Sequence, residues 1–407
     1  MTLTHSGVAL AMLLLATNAQ AATAPALFAG GSADSVEIQG FLYDSDKPSN
    51  ARLDTESKTP GGALVRWGEP ASPRQAPRLE FIDGSVLVSD KGWSASSLVA
   101  LDASKVKIRR AKGWTTVDRS TVRLAVLDPQ AAISVGPQLA DASVVYFRDG
   151  DRLETRGESL ESDKLLASVA GNAVELEAGR IAAIGFGGEP ANPTAPCCLV
   201  GLTDGSLVRA KKVRADSAWL IVGAEAGYTL RLSADQLAFL QPLGGKAEYL
   251  SDREPIDYRH TPYFDLAWPY ARDQAIQGGP LAGGGRRAAK GLAMHSAARL
   301  VYRLDGAPRR FQAELAIADP AFNNPAISGP VTPDQRAEGS VVFRVYLVRD
   351  GAFEPAYESP IIRSGDPPQP IDLDTTGAAG LALVVDYADR ADTGDHALWL
   401  DARLVSE

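Results

Sequence analysis

The chain has 407 residues, 45% of them hydrophobic and 22% charged, and a formal net charge of −9. That length exceeds one small core and divides into two or three domains of ordinary globular composition. The acidic balance excludes nucleic acid as a main partner, because no basic excess exists to neutralise phosphates, and 38 glycines with 26 prolines fit the many turns of an all-β fold.

Val8 to Ala16 is an apolar run of signal-peptide length, and Ala19-Gln20-Ala21 fits the small-x-small cleavage rule, with Ala22 next. The run is too short to span a bilayer. Its one departure from the pattern is the segment before Val8, which holds His5 but no Lys or Arg. Residues 1–21 therefore read as a signal peptide and the mature protein as secreted or periplasmic. No later apolar run has the length of a transmembrane helix. Residues 22–78 read as an N-terminal strand and linker segment: a strand over Val36 to Tyr43, a polar loop over Ser45 to Gly62, a short strand over Leu64 to Gly68, and an extended connector with Pro70, Pro73 and Pro77.

Residues 79–245 read as repeated small β-units. Phe81-Ile82-Asp83-Gly84-Ser85, Phe147-Arg148-Asp149-Gly150-Asp151 and Leu202-Thr203-Asp204-Gly205-Ser206 each place an Asp-Gly pair between apolar residues, a hairpin signal. The second and third units also keep nearly one length from that pair to a closing strand, Asp149 to Ile181 against Asp204 to Leu237. Such units bury little alone and are expected to pack on one another or close into small barrels. The only cysteines, Cys197 and Cys198, are adjacent. They read as small buried hydrophobes or a strained vicinal bridge, not as a disulfide framework. Leu240 to Lys246, with Pro242 and paired glycines, marks a boundary.

Residues 248–407 alternate clearly. Leu300, Tyr302 and Leu304 face one way and Val301 and Arg303 the other; Phe311, Ala313, Leu315 and Ile317 oppose Gln312 and Glu314; Val341, Phe343, Val345 and Leu347 oppose Arg344 and Tyr346. Antiparallel strands at this spacing predict a jelly-roll β-sandwich, with Trp399 and Phe343 in its core. Three loops stand out. His260 to Tyr270 is rich in aromatic residues, of which Tyr263, Trp268 and Tyr270 could stack on sugar C–H faces or cap the core. Asp319 to Arg336 reads as a surface insertion. Asp386 to His396 holds aspartates that could ligate calcium, Asp392 and Asp395 first, or simply cap turns. His295 and His396 are candidate hydrogen-bond donors to hydroxyls, and as a pair they are weak evidence for a metal.

Tyr249-Leu250-Ser251-Asp252, Lys290-Gly291-Leu292-Ala293-Met294-His295-Ser296, Gly339-Ser340-Val341-Val342-Phe343-Arg344-Val345 and Gly394-Asp395-His396-Ala397-Leu398-Trp399-Leu400-Asp401-Ala402-Arg403-Leu404 occur in this order. Together they resemble the NPCBM family, named for a carbohydrate-binding module. Ala293-Met294 departs from the family's more usual Gly-Val. The resemblance implies a galactose-binding-like jelly roll that takes a polysaccharide or glycan. No Gly-x-Ser-x-Gly elbow, His-Glu-x-x-His, P-loop or Gly-x-Gly-x-x-Gly occurs, so no catalytic residue is assigned. The first expectation is an exported, non-catalytic carbohydrate-binding protein. The alternative is a structural or protein-interaction component of the cell envelope, with those aromatics buried and a broad apolar patch exposed elsewhere. A third, an undetected glycoside hydrolase, needs two carboxylates about 5–10 Å apart in a cleft.

Overall fold

A computed structural model describes residues 22–406 apart from 56–58, 73, 90–97, 102–103, 111–112, 132–141, 162–163, 188–195, 263–266, 308, 320–338 and 390. The signal segment, Tyr263 and nearly all of the Asp319–Arg336 loop lie outside the described residues. The chain is all-β: its regular elements are strands joined by turns and single turns of 3₁₀-helix.

Between residues 22 and 245, 21 strands hydrogen-bond into one antiparallel network. The three Asp-Gly pairs are its turns. Gly84, Gly150 and Gly205 take φ of 83°, 95° and 89°, the region that favours glycine. In each pair the aspartate Oδ1 accepts the backbone N–H two residues on, from Ser85, Asp151 and Ser206. The second pair leads into the strand Arg152–Glu161, then Lys164–Val169, Asn172–Glu177, a 3₁₀ turn and Ile181–Gly185. The third leads into Leu207–Asp216, then Trp219–Ala224, Thr229–Ser233, a 3₁₀ turn and Leu237–Pro242. The two stretches thus set the same elements in the same order.

Closing strands carry the network from one stretch to the next. Ile181–Gly185 pairs with both Ser143–Phe147 and Val122–Val126. Leu237–Pro242 pairs with Cys198–Leu202 and with Leu64–Gly68, and Leu64–Gly68 pairs in turn with Thr23–Phe28. Residues 22–78 accordingly contribute strands to this network. Val36 to Tyr43 is two strands, Gly31–Glu37 and Gly40–Asp44, rather than one. The apolar faces pool into one core that includes Phe41, Trp67, Phe81, Ile108, Val145, Ile184, Val200 and Leu240. A shared core is the physical answer to short stretches of strand that cannot bury their own faces alone.

The C-terminal region forms two six-stranded antiparallel sheets and a two-stranded one, Leu281–Gly283 with Arg286–Ala288. One orders Ala271–Arg272, Gly291–His295, His396–Ser406, Arg309–Ile317 and Gln369–Asp374, with Ala247–Tyr249 also on His396–Ser406. The other orders Asp257–His260, Ala298–Arg303, Gly380–Tyr387, Ser340–Arg349 and Ala352–Glu358. Leu292, Met294, Phe311, Leu315 and Trp399 from the first meet Leu300, Tyr302, Phe343, Val345 and Leu383 from the second, as a sandwich requires. Phe343 meets the Trp399 ring edge-on, with centroids 5.0 Å apart. At Gly291 the neighbouring backbone comes close: a Cβ there would sit 2.6 Å from the Trp399 carbonyl oxygen.

The two regions share a buried polar junction. Asp401, fully buried, accepts from Arg66 Nε at 3.1 Å and Arg286 Nη2 at 2.8 Å through Oδ2. Its Oδ1 accepts from Gln241 Nε2 at 2.9 Å, and that amide also reaches Tyr249 Oη at 2.7 Å. Glu314 pairs with Arg66 and Arg286 as well. The surrounding guanidiniums hold the Asp401 carboxyl below its usual range despite burial. Cys197, Leu199, Phe239 and Tyr249 pack beside the junction. Both cysteines are free and buried, which removes the vicinal-bridge alternative.

Candidate functional site

The site is built where the chain passes between the two sheets of the sandwich. Gly291–His295 ends in the first sheet, Ser296 and Ala297 turn the corner, and Ala298–Arg303 begins in the second. Ala297 takes φ of 56° to make that turn. In the first sheet His295 lies directly opposite His396. In the second, His260 lies opposite Ala298 at the same corner. The sequence has four histidines, and the three beyond His5 therefore meet here.

Trp268 completes the group. Its indole stacks on the His295 imidazole, centroids 5.3 Å apart and planes 6° from parallel, and meets His396 edge-on at 5.6 Å. His295 and His396 are 5.4 Å apart, and His260 and His295 5.7 Å. The Trp268 backbone N–H donates to His260 Nδ1 at 3.1 Å, which places the His260 ring proton on Nε2. The Tyr258 hydroxyl donates to the Trp268 carbonyl at 2.6 Å, so the backbone on both sides of the Trp268 Cα is held. His396 Nε2 lies 3.3 Å from Gln277 Nε2.

The electrostatics favour neutral rings. Burial lowers all three histidines, and His396 falls to about 4, with His295 beside it adding to the effect. The Asp392 carboxylate acts on His295 and His260 in the opposite direction without reversing the effect of burial. At neutral pH the cluster therefore presents imidazoles that both donate and accept hydrogen bonds, beside a half-buried indole. That set can recognise hydroxyl groups on a ring-shaped ligand.

The sequence candidates fall into three groups. Trp268, His295 and His396 are brought together. Tyr270 is not part of the ring cluster: it packs on Tyr258 at 5.0 Å and its hydroxyl accepts from Arg272 Nη2 at 2.8 Å. Tyr263 lies outside the described residues. Asp392 acts electrostatically on His260 and His295, whereas Asp395 is turned inward. Its Oδ1 accepts the Ser340 N–H at 2.8 Å, it is fully buried, and burial pushes its carboxyl up to about 6. Calcium takes about six to eight oxygen ligands. Asp392 and Asp395 could supply only part of such a shell, and one Asp395 oxygen is committed to the Ser340 N–H. Among the described residues no group of three or more His, Cys, Asp or Glu side chains is gathered to hold a metal. His260 and Gln277 belong to the site without having been candidates. Histidine scarcity was the available signal for His260, and nothing local marks Gln277.

Comparison with known proteins identifies the region. Residues 246–405 match the NPCBM/NEW2 domain family. The NPCBM/NEW2 match thus spans the sandwich, its corner cluster and Asp401, while Arg66 and Gln241 of the junction lie outside it. No curated protein sequence matches the chain. Among solved structures the chain is similar to CBM51-2 in complex with GlcNAc and INT domains from Clostridium perfringens ZmpB, at 22% identity and TM-score 0.31, covering 48% of this chain and 37% of that one. It is also similar to CBM51 from Clostridium perfringens GH95 in complex with methyl-galactose, at 22% identity and TM-score 0.30, covering 39% of this chain and 99% of that one. A third similarity is to the M60 catalytic domain with CBM51-1 and CBM51-2 from ZmpB, at 15% identity and TM-score 0.32, covering 92% and 49%. The chain spans well under two thirds of the length of the ZmpB structures it matches. Among the described residues no helix is long and apolar enough to cross a membrane.

Proposed function

We propose that this chain is an exported, non-catalytic carbohydrate-binding protein that holds its glycan at the Trp268–histidine corner of the NPCBM/NEW2 domain. One observation carries the reading: a half-buried indole fixed against His295, with neutral imidazole nitrogens and the Gln277 amide alongside. Such an indole offers apolar ring surface to the C–H face of a pyranose, and the imidazoles match its hydroxyls. The amino-terminal segment supports export to a secreted or periplasmic location.

A glycan array probed with the mature chain from Ala22, beside Trp268→Ala, tests this. The expected result is a defined set of bound glycans whose signal falls at least about tenfold in the variant, which is about 1.4 kcal/mol. Parallel arrays with and without calcium show whether the Asp392 side contributes through an ion. A blank array from folded protein refutes the reading. It would favour the second one, a protein-interaction component of the envelope, which a specific patch supports: Leu42, Trp219 and Ile221 are exposed, and Leu42 and Ile221 lie in register on either side of Arg214.

A further inference from the structure

The N-terminal region carries a groove that the corner cluster does not use. It has a volume of about 360 Å³ and lies between the hairpin at Trp114, the turn at Thr203-Asp204 and the strand Thr229–Ser233. Trp114 is 45% exposed, which is unusual for an indole with so large an apolar surface. Its cross-strand neighbour Arg109 sets a guanidinium 5.3 Å from the ring centroid and steadies it.

The charges in the groove are unbalanced. Its described lining holds three guanidiniums, Arg74, Arg110 and Arg231, against one carboxylate, Asp204. Asp204 is already committed. Its Oδ2 accepts from Arg110 Nη2 at 2.7 Å and its Oδ1 accepts the Ser206 N–H at 2.8 Å. Arg110 is itself buried and locked by further donation to Ser206 Oγ and the Val88 carbonyl. The pair forms a rigid floor with little net charge. Arg74 and Arg231 are exposed above it: Arg74 donates to the Thr203 carbonyl at 3.3 Å, and Arg231 lies 4.8 Å over the Trp219 ring. In a chain of net charge −9 this is a local excess of positive charge beside an exposed indole.

We propose that this groove is a second ligand site, and that it takes an acidic oligosaccharide of the uronate class. Guanidinium forks bind carboxylates in a bidentate manner, and an exposed indole stacks on a sugar ring. Neither feature alone selects a charged sugar; together they do. The site stands independently of the Trp268 corner, and the test separates the two.

Isothermal titration calorimetry on the mature chain with a galacturonate oligomer, its methyl ester and inorganic sulfate decides the matter. The acid is expected to bind the wild type and Trp268→Ala equally. Trp114→Ala and Arg231→Gln should each weaken it at least about tenfold, the usual scale for one charge-assisted contact or more. The methyl ester, which keeps the ring and loses the charge, should bind at least about tenfold more weakly than the acid. Should Trp114→Ala misfold, as judged by its circular dichroism, exposed Arg231→Gln carries the test. The proposal is overturned if the acid does not bind, if its binding is lost in Trp268→Ala, if the ester or sulfate binds as well as the acid, or if Arg231→Gln or a folded Trp114→Ala leaves binding unchanged.

Discussion

His396→Gln should change how the protein responds to acid. The folded-state value of His396 is about 4, below the unfolded value near 6.5, because burial disfavours the imidazolium. As the pH falls, the unfolded chain therefore takes the proton first. The contribution of this side chain to stability is intact above about pH 6.5 and is lost as the pH drops toward about 4, at about 1.4 kcal/mol per pH unit. Between about pH 7 and about pH 4.5 the wild type should lose about 2 kcal/mol through this one group. The glutamine variant does not titrate, so it loses none of it. His260 and His295 act with the same sign but stay in both proteins and largely cancel in the difference. Urea unfolding of both proteins across that range reads the effect as a gap that moves in favour of the variant on acidification. The neighbouring Asp395 supplies an internal check of opposite sign. Its carboxyl is raised to about 6 by burial, so the folded form takes the proton first and the deficit, full above about pH 6, shrinks as the pH falls. An Asp395→Asn variant should hold an advantage of up to about 3 kcal/mol near neutrality that fades by about pH 4. A pH-independent gap for His396→Gln would refute the neutral, buried cluster on which the site rests.

Two further outcomes follow from buried groups elsewhere. Asp401→Ala removes one of the two carboxylates that buried Arg66 and Arg286 share, leaving Glu314, and should cost about 3 kcal/mol in denaturant unfolding; a loss below about 1 kcal/mol would mean the junction is solvated. Cys197 is pushed up to about 12 and Cys198 is raised as well, both by burial, so Ellman's reagent should find no thiol in the native protein and two after denaturation. A fast-reacting native thiol would contradict that packing.

Much of the sandwich was legible because strand alternation is local. Phe311, Leu315, Phe343, Val345, Leu300 and Tyr302 sit on the inner faces that their period-2 pattern assigns. The Asp-Gly turns were legible for the same reason: each needs only a glycine at positive φ and an aspartate that can accept a nearby N–H. The aspartate loop was read less well. Its spacing shows four carboxylates, but only packing shows that Asp395 faces inward to the Ser340 N–H. Tyr270 shows a similar limit, since aromatic content in a loop does not tell a ring packed on Tyr258 from one turned toward a ligand.

The sequence by itself determined an all-β chain with turn-rich units before an alternating C-terminal sandwich, and the order of motifs pointed to the NPCBM family. These depend on residues within a few positions of one another, where sterics and alternation act directly. Only the tertiary structure decided which strands pair across long separations, that the N-terminal strands pool into one core, and that Asp401 ties the two regions together. It also assembled the candidate site. His260, Trp268, His295 and His396 lie on separate strands and a loop, and they meet because a sheet-to-sheet turn at Ser296 and Ala297 brings two strand ends to one corner. Contacts of that kind are set by how whole sheets pack, and no spacing along the chain encodes them.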